Sequence, residues 1–96
     1  MQTEDSRSKL RVAVVDDHTM MREGVRLFLE NHPDMECAWT AEKAAEAVRK
    51  VDEDTPDILL VDISLPDRSG LELIKDLRLL RPKLQMLAIS MYDERL

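Results

Sequence analysis

The stretch Asp57-Ile58-Leu59-Leu60-Val61-Asp62-Ile63-Ser64-Leu65-Pro66-Asp67-Arg68-Ser69-Gly70 decides the fold. Its apolar run, residues 58–61, is too short for an independent helix and rich in branched side chains, so it reads as a strand buried on both faces of a parallel sheet. The run stops at Asp62. In open α/β sheets the carboxyl end of a central strand is where ligands bind. Pro66 and Gly70 then bracket a loop, and Ser69-Gly70-Leu71-Glu72 has the form of a capping box that opens the next helix. Taken alone, Asp62 reads as a solvated loop carboxylate. An acidic cluster upstream changes that reading.

Upstream, residues 1–9 are polar, mixed in charge and expected to be mobile. Residues 10–15 form a short β-branched run that stops at Asp16-Asp17, as the later run stops at Asp62. Across 18–31 the apolar positions Met21, Val25, Phe28 and Leu29 recur at helical spacing, with Asp17 placed to cap the first turn. Met20 and Met21 read as core or rim packing, and His32-Pro33 ends the helix. His18 and His32 have no partners at metal-ligand spacing. A second strand is expected over 35–39, where Cys37 alternates with Met35 and Trp39, and an alanine-rich helix over 40–51. Residues 52–56 make a turn before the third strand.

Downstream, a third helix is expected over 70–80 with Leu71, Ile74, Leu77 and Leu80 on one stripe, stopped by Arg81-Pro82. Residues 84–89 form a fourth strand ending at Ser90, nearly uniform in apolarity as an interior strand would be. The alternation β-α-β-α-β-α-β implies an α/β fold, a doubly wound parallel sheet with right-handed crossovers. The closing residues Met91-Tyr92-Asp93-Glu94-Arg95-Leu96 read as a loop leading toward a helix. A finished sheet blunts its edge with charge, Pro or a bulge, so at least one further strand with its covering helices is expected outside this polypeptide.

Composition narrows the class. With 96 residues one domain is expected, here 10–96 behind the polar tail. The net charge of -6, with scattered basic residues, argues against direct nucleic-acid binding. The single cysteine, Cys37, permits no internal disulfide, and no apolar run reaches the length of a membrane span. A soluble, cytoplasmic protein is expected. Only Gly24 and Gly70 are present, far apart, so no glycine-rich nucleotide loop exists.

If the first and third strands lie side by side, Asp16, Asp17 and Asp62 converge on one crevice. Carboxylates about 4 Å apart repel by about 4 kcal/mol at an effective dielectric of about 20, so the cluster must take up a proton or a cation. An all-oxygen site suits magnesium, while the calcium-loop spacing is absent. A carboxylate beside such a cation can attack phosphorus to give an aspartyl phosphate. Ser90 could then donate its hydroxyl to the phosphoryl group and couple the modification to the loop after the fourth strand.

Together these positions, namely Asp16-Asp17, the set Asp62-x-x-x-Pro66-x-x-x-Gly70, and Ser90, resemble the receiver domain of two-component response regulators. The resemblance implies a flavodoxin-like fold of strand order 2-1-3-4, with strand five and its helices missing. It implies Asp62 as phosphoacceptor, with Asp17, Asp62 and the Ser64 backbone carbonyl holding Mg2+. By the same resemblance Asp16 assists, Ser90 is the switch hydroxyl, and a sensor histidine kinase is the partner. The segment from Val15 through Val25 resembles receivers attached to helix-turn-helix transcription factors of the LuxR/NarL type, with an output outside this chain. The family's lysine at the end of strand five has no match, since Lys83 precedes strand four.

Two other readings compete. One is a phosphorylation-independent interaction module, its acidic loops merely solvated, that assembles through the exposed fourth strand. The other is a magnesium phosphohydrolase with an aspartate nucleophile. That class needs Asp-x-Asp, and here Ser64 stands two residues after Asp62 and Asp17 is followed by His18-Thr19. Under any reading the 96-residue chain alone is expected to be marginal, exposing the free side of strand four and dimerising, swapping segments or aggregating.

Overall fold

Four parallel strands and three helices alternate along the chain in the computed structural model, which describes residues 9–90. The expected tail (but for Lys9) and the closing loop, residues 1–8 and 91–96, lie outside the described residues. The elements are β1 (Leu10–Val15), α1 (Thr19–Glu30), β2 (Met35–Ala41), α2 (Ala44–Glu53), β3 (Ile58–Asp62), α3 (Gly70–Leu80) and β4 (Gln85–Ile89). The sheet order is β2-β1-β3-β4. Every pairing is parallel, with Val12 to Val15 of β1 opposite Ile58 to Val61 of β3, and Asp62 opposite Ile89. The expected doubly wound topology is therefore present.

Branched side chains fill the central strands, but only β1 is buried on both faces. On β3 Leu59 and Val61 are buried while Ile58 and Leu60, on the other face, are half-buried, so the expected burial of both faces of that strand is not met among the described residues. Ala13, Val15, Leu59 and Val61 pack beneath Ala44, Ala47 and Val51 of α2 and Leu73 and Leu77 of α3. Each such leucine removed from water contributes about 1.5–3 kcal/mol. Leu84 belongs to this core but precedes β4 rather than opening it.

Several local expectations need correction. β2 runs on to Ala41, which pairs with Val15, so the helix expected from residue 40 starts only at Ala44. Ladder hydrogen bonds to a central strand outweigh the helix propensity of one alanine. The partners on β1 shift past Ala38, a bulge that lets the Trp39 indole donate to the Asp54 carbonyl at 2.9 Å. In α1 only Leu29 is fully buried. Met20 is 88 % exposed, and Phe28, 60 % exposed, packs against the His32 ring at 4.7 Å instead of entering the core.

The stripe on α3 is rotated from the expected one. Leu73 and Leu77 are buried four residues apart, with Ile74 beside them, while Leu71 and Leu80 are exposed. β4 is not interior among the described residues: its outer side is unpaired, and Leu87 is 58 % exposed. No helix among the described residues is long and apolar enough to cross a membrane.

Candidate functional site

The carboxyl ends of β1 and β3 carry the two fully buried acidic residues among those described, Asp16 and Asp62. Asp16 continues the sheet ladder, its amide donating to the Ala41 carbonyl at 2.9 Å. Asp62 is the last residue of β3, and the next amide, that of Ile63, donates to the Ile89 carbonyl at 3.0 Å. Because β1 and β3 are neighbours in register, both carboxylates face one crevice. Asp17 stands at its mouth, partly exposed, and Ser90 follows β4 directly beside this end of the sheet.

The loop after β3 is closed tightly. Ser64 bridges to Ser69, the Gly70 amide donates to the Ile63 carbonyl at 2.9 Å, and the Ser64 amide donates to Asp62 Oδ1 at 3.0 Å. A Cβ on Gly70 would stand 2.1 Å from the Asp62 carbonyl oxygen and 2.7 Å from Ile63 Cα, so only glycine permits this approach. Ser69 caps α3 as expected, its Oγ accepting from the Leu71 amide at 3.2 Å. The reciprocal half of the expected capping box is replaced, since Glu72 faces Arg68 at 3.9 Å. Pro66 is an exposed residue of this loop.

His18 is the site residue that sequence spacing missed. It caps α1 in the position expected of Asp17, without a side-chain cap bond. Its amide and its Nδ1 both reach Asp16 Oδ1, at 2.8 and 2.6 Å, and Nδ1 lies 3.4 Å from Asp17 and 3.3 Å from Asp62. One ligand atom from each of Asp16, Asp17, His18 and Asp62 falls within 4.8 Å of the others. Adjacency to the acidic pair was the available signal. Arg22 adds a second basic group, donating Nη1 to the Asp16 carbonyl at 2.9 Å while Nη2 pairs with Glu42 at 3.3 Å.

The electrostatics follow from burial. Removal from water, reinforced by Asp16 nearby, pushes the Asp62 carboxyl up from its ordinary value against the opposing Ser64 hydrogen bond. The hydrogen bond to Asp16 raises His18, so an imidazolium can stand among the three carboxylates. Even so, among the described residues Asp16 Oδ2 and Asp62 Oδ2 are buried with no hydrogen-bond partner, Asp62 Oδ2 having only the His18 Nδ1 charge at 3.3 Å. Unsatisfied buried carboxylate oxygens are costly. Two of them on one crevice, beside a third carboxylate, fit a hard divalent cation of the magnesium kind, for which the His18 imidazolium is an internal counter-ion.

The family model for the response regulator receiver domain matches residues 12–95. The chain belongs to that family. It is 32 % identical over 94 residues to the transcriptional regulatory protein DegU of Brevibacillus brevis, covering 98 % of this chain and 40 % of DegU. It superposes with a TM-score of 0.82 and 35 % identity on a two-component response regulator of the LuxR family from Aurantimonas sp. SI85-9A1, covering 90 % of this chain and 61 % of that one. It is also 41 % identical over 75 residues to a protein-glutamate methylesterase/protein-glutamine glutaminase of Carboxydothermus hydrogenoformans, covering 78 % of this chain and 21 % of that protein. The receiver therefore spans about two fifths of the regulator and one fifth of the enzyme it matches. The flavodoxin-like fold and the LuxR/NarL character read from the sequence are both present in this receiver.

Proposed function

We propose that this receiver accepts a phosphoryl group from a sensor histidine kinase on Asp62 and thereby switches an output, transcription, carried elsewhere in its parent protein. The observation that carries this reading is the pair of fully buried carboxylates, Asp16 and Asp62, each with an oxygen that has no hydrogen-bond partner among the described residues and both on the same crevice. The relatives named as transcriptional regulators support the output.

In this reading Asp17, Asp62 and the Ser64 carbonyl hold Mg2+, and Asp16 assists. The ion, when bound, neutralises charge on the acceptor and on the transferring phosphoryl oxygens. An Asp62 carboxylate oxygen attacks phosphorus in line. The bond from phosphorus to the donor breaks, and the donor leaves with its electron pair. The Ser64 amide fixes the other Asp62 oxygen and orients the attack, and Ser90 donates its hydroxyl to the product. Pro66 and Gly70 hold the loop shape. The chain is no enzyme beyond this self-modification, acts in the cytoplasm, and makes no contact with nucleic acid or membrane.

Incubation with magnesium and acetyl phosphate should add one phosphoryl group by intact mass, and chelator or Asp62→Asn should abolish it. A mass gain that persists in Asp62→Asn would put the chemistry elsewhere. The outer side of β4, unpaired among the described residues and with Leu87 exposed, supports a second reading in which copies associate along that edge. A concentration-independent monomer in sedimentation would rule it out.

A further inference from the structure

The amino end of α2 is held by a residue from another element. Its N-cap, Lys43, makes no side-chain cap bond. The carboxylate of Asp67, in the loop after β3, instead accepts the Ala44 amide on Oδ1 at 2.9 Å and the Ala45 amide on Oδ2 at 3.1 Å. These are two of the helix amides that have no partner within the helix, and a carboxylate is the favoured group at that positive end. Lysine cannot accept such bonds, so the cap comes from the loop after β3.

The same loop carries the Ser64 amide that holds Asp62, and its base is fixed by the Ser64–Ser69 bridge and the close approach at Gly70. Beyond that base Leu65 packs partly buried against the core, and the tip, Pro66-Asp67-Arg68, is linked to the body of the domain through Asp67 on α2 and through Arg68, which pairs with Asp76 at 2.6 Å on α3. We propose that Asp67 is a positioning residue for the acceptor site: by clamping the loop to α2 it sets where Ser64 stands relative to Asp62. The proposal rests on the reading of Asp62 as acceptor. Partial desolvation pushes the Asp67 carboxyl up, but the Ala44, Ala45 and Asp67 amides and the Lys43 charge outweigh it and hold the carboxyl below its usual range. The clamp is thus in its ionised form at neutral pH.

Two measurements on the same samples test this. Amide hydrogen exchange at Ala44, Ala45 and Ser64 is followed in chelator, and the rate of phosphoryl transfer from acetyl phosphate is followed across a magnesium titration. Asp67→Ala should speed exchange at all three amides and raise the magnesium needed for half-maximal rate about tenfold, the usual effect of losing support behind a metal site. Asp67→Asn, which keeps one acceptor oxygen, should restore part of both. Asp54→Asn, at the amino ends of the strands, should leave both unchanged and controls for general destabilisation. Faster exchange confined to Ala44 and Ala45, with Ser64 and the magnesium dependence as in the parent, would reduce Asp67 to a helix cap and overturn the proposal. If phosphoryl incorporation from acetyl phosphate persists in Asp62→Asn, the acceptor reading fails instead, and exchange at Ser64 still decides whether the clamp exists.

Discussion

Replacing Asp62 by Asn should stabilise the metal-free chain, although it removes the residue on which the proposed chemistry depends. The Asp16 and Asp62 ligand atoms lie within 4.8 Å of one another. Two like charges at that separation repel by about 3.5 kcal/mol at an effective dielectric of about 20. An asparagine keeps an oxygen for the Ser64 amide and brings an N–H that can reach the unpartnered Asp16 Oδ2. Against this, the attraction of the half-exposed His18 is lost, so the net gain should be about 1–3 kcal/mol. For a domain of this size that corresponds to about 4–8 °C in Tm per kcal/mol.

The assay is thermal and urea unfolding of parent and variant in chelator, then with magnesium. Magnesium should raise the parent's stability and narrow or reverse the difference, because a ligand stabilises the state that binds it. The pH dependence has a defined sign. The Asp62 carboxyl is raised above 3.8 in the folded chain, so the folded state binds its proton more tightly than the unfolded one. The parent's metal-free stability should therefore fall, relative to Asp62→Asn, as pH rises from 3.8 through the raised value, and the difference should be constant above it. An Asp62→Asn chain that is no more stable than the parent in chelator would refute the idea of a strained carboxylate pair.

Gly70→Ala should cost about 1–3 kcal/mol or more in urea unfolding, since its Cβ would meet backbone at Asp62 and Ile63, which cannot move aside as a side chain tip can. Leu77→Ala should cost about 2–5 kcal/mol by the same measurement, and Leu79→Ala within about 0.5 kcal/mol of zero, because Leu77 is 1 % and Leu79 82 % exposed. Hydrogen bonding and charge from Arg11 hold the Asp54 carboxyl below its usual value, so this pair stabilises the fold above the ordinary aspartate range and is lost as pH falls through the folded value. Both side chains are a third to a half exposed, so Asp54→Asn should flatten the acid limb of a pH–stability curve by no more than about 1 kcal/mol.

Periodicity and punctuation along the chain carried the element order. The branched runs before Asp16-Asp17 and Asp62, the helix stop at Arg81-Pro82 and the cap at Ser69 are properties of neighbouring residues, and neighbours set backbone preference directly. The same reading erred wherever a leucine's burial depended on which way a helix was rolled. Leu71 and Leu80 share a plausible stripe with Leu77, yet the sheet selects Leu73. Trp39 and Ala41 likewise answer to a ladder with β1 that no local pattern encodes.

The sequence by itself determined an alternating α/β chain with acidic strand ends and the receiver family's spacing, because those features follow from residue type and local period. Tertiary structure alone decided that Asp16 and Asp62 lie buried together, each with an oxygen lacking a hydrogen-bond partner among the described residues, that His18 stands among them, and that Asp67 caps a helix formed earlier in the chain. Those facts depend on the lateral register of β1 against β3 and on where a loop crosses it. Register is fixed by packing between segments far apart in the chain, so no window of the sequence contains it.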